Sequence, residues 1–491
     1  MWFGLSFDYE VLLNSFKSST LSLFSSIDRF IENELDTLSE HIQFDFKLEA
    51  LKRLDTPSLT FSATDGSMKV KRLSGLCALM LCSTSVLYEL GVGAHTWLEK
   101  WPEQFYLKRA FVLPWVEDES ESEELGATLM RYFEYYTLGR SLDSARVALK
   151  DGSILTDYTL SLKRALSFES SSLIGVETPF GAIDAYDLYV NMFRVLGFFD
   201  KESWLAKISE AEEKHGRALC KGVESEIQTL CERFPSKLSL SGDTLVLSEE
   251  AMFSNKKIEW LLDSFERRLE RSAEHPLIFE NRLLSRVDVE LLTLFKVEQV
   301  FLKSIKKGAL LIGVVKDSHS SSFLRALART KEIPSILSDK IALSVFSFKA
   351  RLDKPWCTDV YNPLPYEDFG KTLEQTGFSC ATPFVQRFYF QLFPSSEVFA
   401  CETLGFGANE LIKALLFVLA KEASSMPEAL GYNYPLFEAD KISKHALKEM
   451  EALVNSYEVL LLSDTSTSSY VNFLKSYREK RMVYEFGRKN S

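Results

Sequence analysis

The stretch Ala309-Leu310-Leu311-Ile312-Gly313-Val314-Val315 is apolar without interruption. A run of this length suits a central strand covered on both faces. A second strand signal lies near the other end of the chain. Leu59, Phe61 and Ala63 alternate with Thr60, Ser62 and Thr64, and Met68 to Leu73 roughly alternates again. Asp65-Gly66-Ser67 between them reads as the turn of a β-hairpin with an aspartate at its bend. Val147-Ala148-Leu149 followed by Asp151-Gly152-Ser153 repeats the strand-and-turn pattern, and Ile341 to Phe348 and Phe384 to Leu392 read as further strands.

Helical patterns separate these strands. Residues 1–57 read as helical, with Phe16, Leu21, Phe24, Ile27, Phe30 and Ile31 mostly three or four apart. The acid run Glu117 to Glu124 leads into a helix over about 123–144, and Pro435 opens another that carries Ile442, Ala446, Met450 and Leu453. Residues 202–305 are charge-rich and mostly helical, with a short hairpin at Leu238 to Leu247, and read as a helical insertion. The segment 475–491 holds six basic and two acidic side chains, a solvated tail. The pass gives a mixed α/β core interrupted by helices.

Charge and cysteine usage narrow the function classes. The net charge of −12 over 491 residues excludes coating of nucleic acid through bulk charge but leaves room for a local basic path. One candidate is 296–331, where Lys296, Lys303, Lys306, Lys307, Lys316, Arg325, Arg329 and Lys331 face only Glu298 and Asp317. Its other reading is an exposed helix face plus a loop. The cysteines are scattered with no CxxC, and no HExxH occurs, so zinc chemistry has no support and a reducing cytoplasm is expected. The uncharged run Leu73 to Tyr88 contains Ser74, Ser83, Thr84 and Ser85 and falls short of the ~18–20 apolar residues of a membrane span.

The chemistry resides in the carboxylates. Asp65 and Asp151 each stand where an apolar strand runs out, beside Gly and Ser. Either could project from the rigid sheet, and either could be a hairpin-turn residue. Glu134 shares a helical stripe with Ala127, Met130 and Leu138, so it must be neutral, paired or metal-bound unless it reaches solvent at the stripe's edge. Asp440 lies in the first turns of its helix, where an acid also complements the helix dipole. Oxygen ligands of this kind suit Mg²⁺ or Mn²⁺, and two such ions about 4 Å apart can cleave a phosphodiester.

The order of these motifs resembles the NurA nuclease family. It runs from Ser62 to Ser67, through Glu134, Leu149 to Leu155, Leu311 to Ser318, Ser338-Asp339, Phe388 to Phe390 and Val398 to Glu402, to Tyr434 to Asp440. These pieces span about 58–445. The reading places a nuclease domain at 58–465, after an N-terminal helical segment at 1–57 and before a basic tail at 466–491. The resemblance implies an RNase H-like mixed sheet with flanking helices and a long helical insertion. It implies a Mn²⁺-dependent deoxyribonuclease whose metal-binding acids are Asp65, Glu134 and Asp151; with Asp440 as a fourth oxygen ligand, the expected site takes two Mn²⁺ or Mg²⁺ ions. The implied substrates are single-stranded DNA and duplex ends, cut as a 5′–3′ exonuclease with endonuclease activity. The implied partners are a second copy of the chain and a HerA-type hexameric ATPase, in DNA end resection and recombinational repair. Lys316 matches the family lysine after the central strand, which suits a phosphate contact, although a solvated strand-end lysine is the plainer reading.

Two positions depart from the family. Asp440 stands where histidine is usual, and Ala400 where arginine is usual. The first keeps an all-oxygen ligand shell. Together they motivate an alternative, a NurA-like subunit that holds DNA or the ATPase but cuts weakly.

Overall fold

The computed structural model describes residues 9–46, 49–52, 58–72, 76–92, 96–114, 119–192, 217–219, 224–241, 244–271, 274–327, 333, 337–366, 385–393, 396–404, 409–422 and 431–463. Its centre is a nine-stranded mixed sheet. In chain order the strands are β1 (Ile42–Gln43), β2 (Ser58–Arg72), β3 (Leu76–Val92), β4 (Thr96–Pro114), β5 (Val147–Asp151), β6 (Leu310–Val315), β7 (Trp356–Thr358), β8 (Val385–Gln391) and β9 (Phe399–Leu404). Their spatial order is β1-β7-β8-β9-β6-β5-β2-β3-β4. β2, β3 and β4 form an antiparallel meander, while β5 runs parallel to β2, and β6 parallel to β5. That five-strand arrangement is the RNase H-like order expected from the motifs. An antiparallel extension through β9, β8 and β7 widens it.

Helices cover both faces of the sheet. On one face lie α2 (Glu119–Ser141), α3 (Ile154–Ala165) and α5 (Arg286–Lys307), with α4 (Ser254–Glu270) packed outside them. Towards the β1 edge, α1 (Tyr9–Glu40) and α6 (Asp339–Lys349) cover the same face. The other face is closed by α7 (Asn409–Glu422) and α8 (Tyr434–Ser463). β6 shows why its run is apolar throughout: Leu311 enters the α2–α3–α5 core, and Ile312 and Val314 enter the α7–α8 core. A capping box of Ser285 and Asp288 starts α5, and Gly308 in the left-handed conformation ends it.

Three local expectations change. Asp65-Gly66-Ser67 is no turn, because β2 pairs with β3 without interruption from Ser58 to Arg72, and Asp65 lies opposite Thr84. Ile341 to Phe348 is not a strand but most of α6. Ser338 caps that helix, and Asp339, Ala342, Leu343, Phe346 and Ser347 form its buried stripe at helical spacing. Its short apolar length had made helix and strand hard to separate by periodicity. The N-terminal region is helical over Tyr9–Glu40 and again at Glu49–Lys52, but Ile42–Gln43 pairs with β7 as the sheet's edge strand.

One other expectation agrees. The hairpin of Leu238–Ser241 with Thr244–Leu247 is present, joined by Arg217–Leu219. Among the described cysteines, Cys77, Cys82, Cys357 and Cys401 are free thiols. Among the described residues no helix is long and apolar enough to cross a membrane. The basic tail lies outside the described residues.

Candidate metal centre

The three parallel strands bring their carboxyl ends together. Thr64 pairs with Lys150 across β2 and β5, and Asp151 pairs with Val314 across β5 and β6. Phe61 and Ala63, then Val147 and Leu149, then Ile312 and Val314 all point into the α7–α8 core. Strand alternation therefore sends Asp65 and Asp151 to the same face, beneath α8. Lys316 follows on that side and donates to Asp151 Oδ2 at 2.5 Å. Tyr432, just before α8, donates to Asp151 Oδ1 at 2.9 Å, and Lys316 Nζ lies 4.5 Å from the centroid of its ring.

Asp65 is buried and incompletely satisfied. The Gly66 N–H donates to Oδ1 at 2.7 Å, while the buried Oδ2 has no hydrogen-bond partner. Burial, then the charges of Asp151 and Glu134, push its carboxyl up to about 8, with Lys316 pulling the other way and Asp440 adding to the rise. Asp440 approaches from α8 and accepts from Lys444 at 2.8 Å. Aspartate at 440 thus adds negative charge to the cluster, where histidine would add a neutral nitrogen.

Glu134 comes from the opposite layer. Gly66 faces α2, and a Cβ there would stand 2.8 Å from Glu134 Oε1 and 2.9 Å from its Cγ. This glycine permits a close helix approach rather than a turn. Gly66→Ala is expected to cost about 1–3 kcal/mol through overpacking, read as a lower urea midpoint, and to displace Glu134. Glu134 Oε2 is engaged by Lys150 at 2.8 Å, and the same ammonium meets Asp157 Oδ2 at 2.9 Å. Burial pushes Glu134 up to about 7 against the pull of Lys150. Burial alone would lower Lys150, but Asp157 and Glu134 hold it above the ordinary lysine range.

The turn after Asp151 is built to hold its place. Gly152 takes a φ of 97°, a conformation costly for other residues, and Ser153 caps α3. Ser153 Oγ donates to both oxygens of Glu402 at 2.9 and 2.8 Å, and the Leu155 N–H donates to it at 3.0 Å. Arg387, opposite Glu402 across β8 and β9, donates to Glu402 Oε1 from Nε at 3.0 Å and Nη2 at 2.6 Å. Ala400 is buried beside Tyr389 on the same face.

Lys150, Glu402 and Phe388 to Phe390 are visible in the sequence only as parts of motifs, and Tyr432, Asp157 and Arg387 carry no sequence signal of their own. A lysine directly after an apolar strand run was the available signal, since Ala148, Leu149 and the buried Lys150 are consecutive. The basic segment does not lead to this cluster as a free path. Lys296 is buried against Glu266, and Lys303 and Lys307 both bind Asp143 in the α2–α5 layer. Arg329 and Lys331 lie outside the described residues, and His319 is an exposed loop residue.

An all-oxygen acid cluster with an unpartnered buried Asp65 Oδ2 has the donor chemistry of a Mn²⁺ or Mg²⁺ site. Among the described residues no three His, Cys, Asp or Glu side chains are placed to hold a metal ion. Lys150, Lys316 and Lys444 hold Glu134, Asp151 and Asp440 instead.

A pH effect follows for protein stripped of divalent ions. Unfolded, Asp65 loses its proton near 3.8, but folded it does so at about 8. Between these values the folded state binds more protons, so stability falls as pH rises through that window. Melting temperature is expected to be lower at pH 8 than at pH 6, and added Mn²⁺ to raise it more at pH 8.

Strand order and acid placement together define an RNase H-like α/β protein with a carboxylate cluster at the ends of its parallel strands. The chain belongs to the NurA domain family, whose family model matches residues 59–444. It is similar to the crystal structure of the NurA nuclease from Sulfolobus solfataricus, at 13% identity over 92% of this chain and 97% of that one, with a TM-score of 0.45. It is also similar to a crystal structure of NurA with manganese, at 16% identity over 90% and 98% of the two chains, with a TM-score of 0.43. A third likeness, to NurA bound to dAMP and manganese, has 16% identity over 88% and 93%, with a TM-score of 0.41. No curated protein matches the chain.

Proposed function

We propose that this protein is a divalent-metal-dependent deoxyribonuclease, with Asp65 and Asp151 as the principal carboxylates and Glu134, Asp440 and Lys316 around them. The observation that carries the reading is Asp65, buried and raised by its acidic neighbours, with one oxygen left for a cation. A bound Mn²⁺ or Mg²⁺ would supply an activated water and offset the charge of the phosphodiester. The protein's own contribution is orientation. Tyr432 and Lys316 fix the two oxygens of Asp151, and the Glu402–Arg387 pair fixes the turn beyond it. Lys316, partly exposed beside Asp151, is a cation placed to meet a phosphate.

Single-stranded DNA and duplex ends are the proposed substrates, with 5′–3′ polarity, in end resection beside a HerA-type ATPase. For a partner or second copy, α1 offers apolar residues with no cover, Phe16 being 72% and Phe24 55% exposed. Replacing both with glutamate is expected to lower self-association or ATPase binding in light scattering while leaving Mn²⁺ binding unchanged.

A second reading, a DNA-holding subunit that cuts poorly, draws on the lysines that hold Glu134 and Asp440. One assay separates them. End-labelled single-stranded DNA is incubated with Mn²⁺ and either the parent protein or Asp65→Ala, with and without the ATPase. Cleavage by the parent alone supports the nuclease. Absence of metal-dependent cleavage under both conditions supports the second reading, and equal cleavage by both proteins removes Asp65 from the site.

A further inference from the structure

We propose that Lys150 stands in for a second cation, so that the acid cluster of this chain takes a single divalent ion. The inference rests on the metal-dependent reading above and concerns how many ions that site holds. Lys150 is buried, with only 3% of its side chain exposed. Its Nζ donates to Glu134 Oε2 at 2.8 Å, to Asp157 Oδ2 at 2.9 Å and to the Asp151 carbonyl oxygen at 2.8 Å. An ammonium has three N–H donors, so all of them are used.

The arrangement does what a metal ion would do on this side of the sheet. It brings a positive charge to the buried Glu134, to the part-buried Asp157 and to the backbone of a third acid. A divalent ion bound to Glu134 would have to displace that ammonium from its partners. Lys150 would then be a buried cation with Asp157 as its one remaining carboxylate, which is costly. If it stayed, the two positive charges would repel at short range in a medium of low effective dielectric. On the other side of β2 and β5 the balance differs. Among the described residues Asp65 Oδ2 has no partner and no lysine is bonded to Asp65. One ion beside Asp65 answers that need and takes Asp151 Oδ2 from Lys316, whose side chain is 36% exposed and can turn to water, whereas the buried Lys150 has no such exit from Glu134.

The test counts ions on the full-length protein, with Mn²⁺ as the probe. Free Mn²⁺ is followed by electron paramagnetic resonance during titration of stripped protein. The parent is expected to bind one Mn²⁺ per chain, Lys150→Arg to keep one, and Lys150→Met to bind two. In case Lys150→Met does not fold, Glu134→Gln gives an independent reading. Its Mn²⁺ affinity is expected to stay within about threefold of the parent's, because Glu134 is not a ligand, whereas loss of a ligand or its close support costs ~10–100-fold. Two ions in the parent, one ion in folded Lys150→Met, or a tenfold or greater weakening in Glu134→Gln, within that ~10–100-fold range, each overturn the inference. No ion bound by the parent overturns the metal-dependent reading as well, so the two failures are distinct.

Discussion

Asp65→Asn is expected to abolish Mn²⁺-dependent DNA cleavage while making the stripped protein more stable at pH 8. The two effects share one cause. The Asp65 carboxyl is buried among Asp151, Glu134 and Asp440, and its charge is opposed by every near neighbour except Lys316. Asparagine keeps the shape and can still accept from the Gly66 N–H. It removes the charge that a cation needs. Cleavage should fall by roughly 10²–10³-fold or more, the scale of losing one charge-stabilising group. Without metal, the stability that the parent loses as pH rises from 3.8 to about 8 is no longer lost, so the melting temperature at pH 8 should rise relative to the parent. A variant that lost activity through misfolding would instead melt lower.

The largest stability effect is expected from Arg387→Met. Arg387 and Glu402 form a pair with side-chain exposures of 4% and 0%. Glu402 also anchors Ser153 Oγ and the Leu155 N–H, and Arg387 reaches Ser320 and Ser322 at 3.0 Å. Removing the guanidinium leaves a buried carboxylate uncompensated, at a cost of about 3–5 kcal/mol. Urea denaturation should show it as a lower midpoint with an unchanged slope. Cleavage should also weaken by roughly 10–100-fold, since the turn after Asp151 loses its support. Adding Glu402→Leu should recover part of the stability but not the activity. The double variant removes the buried charge yet still leaves Ser153 and the Leu155 N–H without their acceptor.

Why some of this was legible in sequence and some not comes down to range. The β6 run announced a strand covered on both faces because its burial is written in consecutive residues. Asp151-Gly152-Ser153 read correctly as a strand end because the left-handed glycine and the serine cap are local devices. Asp65-Gly66-Ser67 misread as a turn because the same tripeptide serves a long-range purpose there. Its glycine makes room for Glu134 on a helix far along the chain. Local reasoning cannot separate a glycine needed for φ from one needed for space. Glu134 was rightly taken as a carboxylate on an apolar stripe. That its partner is Lys150 depends on β5 pairing beside β2, which no local pattern encodes. Tyr432, Arg387 and Asp157 were missed for the same reason. Tyr432 acts on the distant Asp151, Arg387 on Glu402 across a strand pair and Asp157 on Lys150 across a turn, and none carries a spacing of its own.

The departures also gain physical content. Ala400 is buried among apolar neighbours, and the arginine on that face is Arg387, bonded to Glu402 from the adjacent strand. Asp440 adds charge to a cluster that already repels itself, which should make the site more dependent on a cation.

The most direct measurement on the central claim is anomalous scattering from a Mn²⁺-soaked crystal at the manganese absorption edge. A peak beside Asp65 Oδ2 and the Asp151 carboxylate, on the α8 side of the sheet, is the predicted result. A peak elsewhere, or none beside Asp65 at saturating Mn²⁺, would contradict it.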